Sequence, residues 1–263
     1  MNNLDYKDFI MILSSYKCNK NCPYCIAKIE KLPKVDEDLI QFKNQINKLI
    51  QEKAKFKYFV LSGNGEPSYY TYEFLKEIIS IVTNSGIFED YRIQTSGRLF
   101  HNDKLFYLLK DWIIEITRVS EYYDVDSSVL HYKNDYTLTK NFHNARIRLN
   151  YVLLKGLCFV VGIDILEYLN KYKNIETVAL KILDSQENHE DKYTKWILAN
   201  GETYTNIDII EFIMNNHFKY LGYKFNNHIW DHNGKQISMF SNKNYNKDKT
   251  IHNLVWYGNK IIY

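Results

Sequence analysis

The chain has 263 residues, 45% of them hydrophobic and 25% charged, with a formal net charge of +3. That composition suits a soluble globular protein of one domain, or of one domain with a small appendage. The charge is too small to argue for a nucleic-acid partner, the 23 tyrosines are too scattered for a stacking platform, and no apolar run approaches a membrane span. Reduced cysteines and the lack of an export signal point to the cytoplasm.

Phe9-Ile10-Met11-Ile12-Leu13 is a short continuous apolar run and predicts a buried strand of a parallel sheet. Three of the four cysteines follow directly, in Cys18-Asn19-Lys20-Asn21-Cys22-Pro23-Tyr24-Cys25. Thiolates are soft, charged ligands, and three on one loop suit iron–sulfur or zinc ligation. Three thiolates on a [4Fe–4S] cluster leave one iron open to a non-protein ligand. Disulfides would need an oxidising compartment. Zinc would need a histidine as fourth ligand, and its sites usually come as two ligand pairs separated by a spacer.

Residues 36–53 predict a helix. Asp36, Glu37 and Asp38 suit the positive end of its dipole, and Leu39, Phe42, Ile46, Leu49 and Ile50 recur on one face. Tyr58-Phe59-Val60-Leu61 predicts a second buried strand, which runs into Ser62-Gly63-Asn64-Gly65-Glu66-Pro67. Glycines there let backbone approach a ligand closely, and Glu66 offers a charge-assisted hydrogen bond.

The C-x3-C-x2-C loop, with Tyr24 before its last cysteine, and the later G-x-G-E-P loop together resemble the radical S-adenosylmethionine (SAM) superfamily. The likeness runs toward single-cluster members such as the molybdopterin-precursor cyclase and viperin. Asn64 stands where many members have glycine. The resemblance implies a [4Fe–4S] cluster on Cys18, Cys22 and Cys25, with SAM chelating the open iron. It implies reductive cleavage of SAM and abstraction of a hydrogen atom from substrate, with the protein supplying position and a dry pocket. Tyr24, Gly63, Gly65 and Glu66 become candidate cofactor contacts.

Residues 71–85 predict a helix with stripe Phe74, Leu75, Ile78, Ile79 and Val82, and Gly86 suits its C-terminal cap. Tyr91-Arg92-Ile93-Gln94-Thr95 predicts strand three. Gln94 and Ser96 lie where relatives carry polar cofactor contacts. After a short helix at 104–111, residues 112–120 predict strand four, with Arg118 and Ser120 at its end and Glu115 toward the barrel interior. Arg118 is a candidate for a bidentate pair with the SAM carboxylate. Residues 121–144 read as irregular, as a lid or substrate loop would. Residues 145–154 predict strand five, where Leu149-Asn150-Tyr151-Val152 resembles an Ile-Asn-x-Val element whose asparagine meets the cofactor in relatives. Cys158, in apolar surroundings, reads as a buried structural thiol. A helix at 164–172 and strand six at 178–183 follow, and Lys181 is a weaker cofactor candidate.

Residues 185–202 read as polar without period, 206–221 as an amphipathic helix, and 228–230, 236–240 and 251–257 as short β runs. Asp231-His232-Asn233-Gly234 and Tyr257-Gly258-Asn259-Lys260 read as hairpin turns. The expected architecture is α/β: a partial (β/α)6 TIM-type barrel over 1–184, then a small helix-plus-antiparallel extension over 185–263. Without cysteines after Cys158, no auxiliary cluster can be built. The expected substrate is a small molecule or nucleotide, with flavodoxin or ferredoxin as electron donor. Alternatives are a glycyl-radical-enzyme activase, a peptide modifier and, from another class, a non-catalytic zinc-binding protein.

Overall fold

The computed structural model describes residues 8–14, 17–25, 27, 33–119, 136–155, 166–167, 169–183, 192–201, 215, 218–224, 227–240 and 253–262. Ser120 and Cys158 lie outside these residues, as do most of the expected loop at 121–144 and most of the helix at 206–221. Eleven strands form one open sheet: β1 Asp8–Leu13, β2 Phe56–Gly63, β3 Phe88–Thr95, β4 Ile113–Arg118, β5 Arg146–Val152, β6 Ile175–Lys181, β7 Lys219–Lys224, β8 Asn227–His232, β9 Lys235–Phe240, β10 Leu254–Tyr257 and β11 Lys260–Ile262. Their order is β11-β10-β1-β2-β3-β4-β5-β6-β9-β8-β7. The eight strands from β10 to β9 pair in parallel. The hairpins at either end pair antiparallel. This is the expected α/β partial barrel, with the sheet left unclosed.

The alternation of residues explains its two faces. Phe9, Met11, Leu13, Phe59, Leu61, Ile93, Ile114, Ile116, Ile147, Leu149, Val178 and Leu180 are buried and apolar. They join one core with helices α1 Leu39–Gln51 and α2 Tyr72–Ser85, which bury Phe42, Ile46, Leu49 and Leu75, Ile78, Ile79, Val82. Phe9 meets Phe42, Phe56, Phe59 and Phe88 at centroid separations of 5.7–6.2 Å. Burying such a side chain stabilises by about 2–3 kcal/mol. The alternate positions are Tyr58, Ser62, Arg92, Gln94, Glu115, Thr117, Arg148, Asn150, Thr177 and Lys181. They form a polar row across the lumenal face.

Helix ends follow local chemistry. Asp38 and Thr71 accept from Gln41 and Phe74 backbone N–H, and Gly86 closes α2 with φ +64°. A short α3 spans Asp103–Leu108.

Several expectations change. β2, β3 and β6 begin two or three residues earlier than their apolar runs, because their first turns carry Lys57, Glu89 and Glu176 among the core residues. The 121–144 stretch contains a 3₁₀ turn, Tyr136–Leu138, and a short helix, α4 Lys140–His143, capped by Thr139. Residues 192–200, read as irregular, form helix α5 Lys192–Asn200, which buries Thr194 and Ile197. Residues 219–221, read as a helix end, belong to β7. The two hairpin turns stand as expected, with φ of 53° and 82° at Asn233-Gly234 and 60° at both Gly258 and Asn259. The strands after residue 185 join the main sheet at both ends: β9 lies parallel to β6, and β10 parallel to β1. No helix among the described residues is long and apolar enough to cross a membrane.

Candidate active site

The cysteine loop leaves β1 and is fastened across the C-terminal ends of four neighbouring strands. Asn64 N–H donates to the Leu13 carbonyl at 2.8 Å, and Glu66 N–H to the Lys17 carbonyl at 2.6 Å, which join β1 to the loop after β2. Ser96 Oγ donates to Asn19 Oδ1 at 2.5 Å, which ties the loop to β3. Lys20, buried, donates from Nζ to the Thr117 carbonyl at 3.3 Å and so reaches β4. Cys25 N–H donates to the Cys22 carbonyl at 3.3 Å and closes a turn between the two thiols. Cys18, Cys22 and Cys25 are all free thiols, Cys18 exposed and the others half-buried. Desolvation by the surrounding chain pushes the Cys18 thiol up from its ordinary value. The Lys20 N–H on its sulfur, 3.4 Å away, opposes this, and Glu66 and Cys25 push it further up.

Glu66 is the buried pin of this rim, only 1% exposed. Its Oε1 accepts from Ser68 N–H at 3.1 Å and Thr95 Oγ at 2.7 Å; its Oε2 accepts from Ser96 N–H at 2.5 Å. A side chain on Gly63 would stand 3.3 Å from the Gly65 carbonyl oxygen and 3.4 Å from that of Leu13. The backbone paths of β1 and the G-x-G-E-P loop therefore run close enough that glycine fits best there. From the C-terminal hairpin, Tyr257 donates to the Pro33 carbonyl and accepts from Asn64 Nδ2 at 3.5 Å. Asn259 accepts from Asp38 N–H and donates to the Asp36 carbonyl, each at 2.8 Å.

Below the rim lies a second constellation. Gln94 accepts from Ser62 Oγ at 2.7 Å and donates to Glu115 Oε2 at 3.1 Å. Arg92 and Arg148 both approach Glu115 Oε1 at 3.5 Å. Arg92 also lies over the Tyr58 ring, 3.2 Å from its centroid. Burial pushes the Glu115 carboxyl up, but Arg148, Arg92 and Lys181, with the Gln94 hydrogen bond, hold it below the ordinary carboxylate range. Burial draws Lys181 down from the usual lysine range; Glu115 opposes that and Arg148 adds to it.

Thus the structure gathers Cys18, Cys22, Cys25, Gly63, Gly65, Glu66 and Ser96 at the rim. Gln94, Asn150 and Lys181 belong instead to the lumenal row. Arg118 is buried but shares its side of β4 with Ile114 and Ile116, opposite Glu115 and Thr117. Tyr24 packs its ring 5.8 Å from that of Trp196 on α5. Sequence reading missed Asn19 and Lys20, taken as spacers between cysteines, and Thr95, taken as a strand end. It also missed Arg92 and Arg148, whose signal was available: each alternates with isoleucine or leucine in a strand.

No protein-family model matches this chain, and no curated protein does. Solved structures match its fold. SuiB of Streptococcus suis superposes with a TM-score of 0.56 over 81% of this chain and 48% of its own, at 11% identity. The coproporphyrinogen III oxidase HemN of Escherichia coli, a radical SAM enzyme, gives 0.52 over 83% and 55%, at 13% identity. The anSMEcpe enzyme with bound AdoMet and a Cp18Cys peptide gives 0.51 over 72% and 55%, at 12% identity. SuiB has been solved bound to S-adenosylmethionine and to its precursor peptide SuiA. The chain spans 39–55% of the length of these proteins. At such identities the likeness is one of fold: the sheet resembles the partial barrels of these proteins.

Proposed function

We propose that this chain is a single-cluster radical SAM enzyme. One observation carries the reading: three free cysteines sit on a loop pinned over the C-terminal strand ends of that barrel, with Glu66 and Ser96 directly beside it. Ligands in parallel α/β sheets sit at this end of the strands. Among the described residues, no three His, Cys, Asp or Glu side chains are grouped as a single metal ion requires. Three thiolates on one loop are the soft, charged donors that a [4Fe–4S] cluster takes, so the donor set suits it. When bound, the cluster would supply the electron that cleaves SAM, and the substrate would then lose a hydrogen atom.

The chain's own residues have distinct tasks in this reading. Cys18, Cys22 and Cys25 hold the cluster. Gly63 and Gly65 bring backbone carbonyls close to the SAM ammonium. Glu66, its carboxylate already accepting from three donors, fixes the path of that backbone and holds Ser96 against Asn19. Tyr24 and Trp196 screen the loop from water. Asn150 faces SAM or substrate from β5, and Arg118 supports the end of β4. The substrate is a small molecule or nucleotide, and reduction comes from a flavodoxin or ferredoxin.

The test is anaerobic reconstitution with iron and sulfide, then assay of 5′-deoxyadenosine from SAM with a strong reductant. We expect iron bound in cluster stoichiometry and product that falls to background in Cys22→Ala. Product unchanged in that variant would remove the loop from the chemistry. The peptide complexes of SuiB and anSMEcpe favour a second reading, peptide modification. Product formation stimulated by a peptide and not by nucleotides would select it.

A further inference from the structure

We propose that Arg92, Arg148 and Lys181 form a lumenal site for a multiply charged oxyanion of the substrate, a phosphate ester or paired carboxylates. The inference rests on the reading that the substrate enters the barrel mouth. Its starting point is charge. Three cations converge on one carboxylate, Glu115, which is 5% exposed. Asp90 and Glu176 are engaged with Arg146 at 3.0 and 2.8 Å; Asp90 and Arg146 stand two residues before Arg92 and Arg148 on the same strands. Removing charge from water without full compensation is costly, and buried cations seek a partner.

The geometry around Glu115 leaves that compensation incomplete. Both guanidinium groups stand 3.5 Å from the same oxygen, longer than the bonds Arg146 makes. Arg148 faces that oxygen through its Nε and Arg92 through a terminal nitrogen, and at these lengths neither buried Nε completes a hydrogen bond. Asn150 Oδ1, two residues above Arg148 on the same side of β5, is also buried without one, in a residue 2% exposed. A purely structural ion pair would draw the arginines into bidentate contact with both carboxylate oxygens. Here Gln94 takes the second oxygen instead, so the two arginines share the first. The Arg92 and Arg148 side chains keep 13% and 22% exposure, so a solute can reach them. An oxyanion would accept from both guanidinium groups and meet the Lys181 ammonium. The substrate's opposite end would then extend toward Asn150 and the rim.

Distance supports the same arrangement. Arg92 lies four residues before Ser96 along the chain, which at roughly 3.3 Å per residue sets its backbone about 13 Å below the rim. A substrate held there by its anionic end would present carbon atoms near the cysteine loop. The charge on the lumen thereby fixes both polarity and length of what can bind.

The experiment uses the full chain, anaerobically reconstituted, with inorganic pyrophosphate and citrate as separate probes in calorimetry and thermal denaturation at low salt. We expect one probe to bind and to raise Tm, with affinity that weakens as salt is added. Arg148→Gln and Lys181→Gln should each weaken binding at least about tenfold, as loss of one charge-assisted contact does. Glu115→Gln should bind more tightly and gain more in Tm from the probe than the unmodified chain. Pyrophosphate binding without citrate binding identifies a phosphate ester; the reverse identifies carboxylates. Binding of neither probe, or affinity in Lys181→Gln and Arg148→Gln unchanged from that of the unmodified chain, overturns the site. If Arg148→Gln does not fold, Lys181→Gln and Glu115→Gln carry the same decision. The 5′-deoxyadenosine assay on the same material separates the two readings. A chain that binds the probe but forms no product keeps this site and loses the proposed chemistry, and the converse result does the opposite.

Discussion

The rim and the lumen of this barrel solve the burial of charge in different ways. At the rim, Glu66 is buried as a single carboxylate whose acceptors are met by short bonds from Ser68, Thr95 and Ser96. In the lumen, Glu115 is buried among three cations that outnumber it, and Arg92 and Arg148 approach it only to 3.5 Å. A satisfied buried carboxylate fixes backbone; an unbalanced cationic group leaves binding capacity. On the function and site proposed above, the rim is scaffold for a cofactor loop and the lumen sets specificity.

The largest expected effect breaks the rim. Glu66→Ala leaves the Thr95 hydroxyl and the Ser68 and Ser96 N–H groups buried without acceptors, and at about 1–3 kcal/mol for each such group the loss should reach about 4 kcal/mol. Urea denaturation of the reconstituted chain measures it. Glu66→Gln, which keeps one oxygen for Thr95 and Ser68, should lose about half as much. If both variants unfold at the same urea concentration as the unmodified chain, Glu66 does not pin the rim.

Breaking the lumen comes next. Glu115→Gln removes the only carboxylate among three cations and should cost about 3 kcal/mol at neutral pH, the usual penalty for orphaning one side of a buried pair. The pH dependence follows from the direction of its shift. The folded carboxyl titrates below its unfolded value of about 4.3. Its contribution to stability is therefore complete above that value and is lost as pH falls through the lower folded value. Stability profiles of the unmodified chain and Glu115→Gln should run apart at neutral pH and converge in acid. Parallel profiles down to pH 2 would mean that Glu115 is not held ionised by its neighbours.

The contrast also explains what sequence could and could not reveal. The rim was legible because its residues are consecutive. Cys18 to Cys25 and Gly63 to Pro67 are local signatures after apolar strands, and their spacing alone brings them to one end of the sheet. The lumen was only partly legible. Glu115, Gln94 and Lys181 showed by alternation that they leave the core, but their company with Arg92 and Arg148 depends on register between four strands, which no local pattern encodes. The place of the C-terminal strands in the sheet depends on pairing of the same long-range kind. β10 completes the sheet beside β1 across the whole length of the chain, and Tyr257 reaches the segment after the cysteines. Helix α5 was missed because its polar residues hide a face whose deeply buried members, among the described side chains, are Thr194 and Ile197.

The smallest expected effect sharpens the comparison at a third place. Arg146 pairs with Asp90 at 3.0 Å and Glu176 at 2.8 Å near the N-terminal ends of β3, β5 and β6, and its side chain is 40% exposed. The hydrogen bonds to Glu176 and Asp90 raise its already high pKa, so it stays charged at every working pH. Being half open to water, the triad is screened, and Arg146→Met should cost only about 1 kcal/mol, a figure that shrinks further as salt is added. The Glu115 cluster has better contrast with solvent and should keep its full effect at the same ionic strength. Measuring both variants by urea denaturation at low and high salt tests whether depth, rather than the number of charged contacts, decides which ionic group matters. Equal salt sensitivity in the two would mean that water reaches the lumen as freely as the strand ends, and the rim and lumen would then share one dielectric environment.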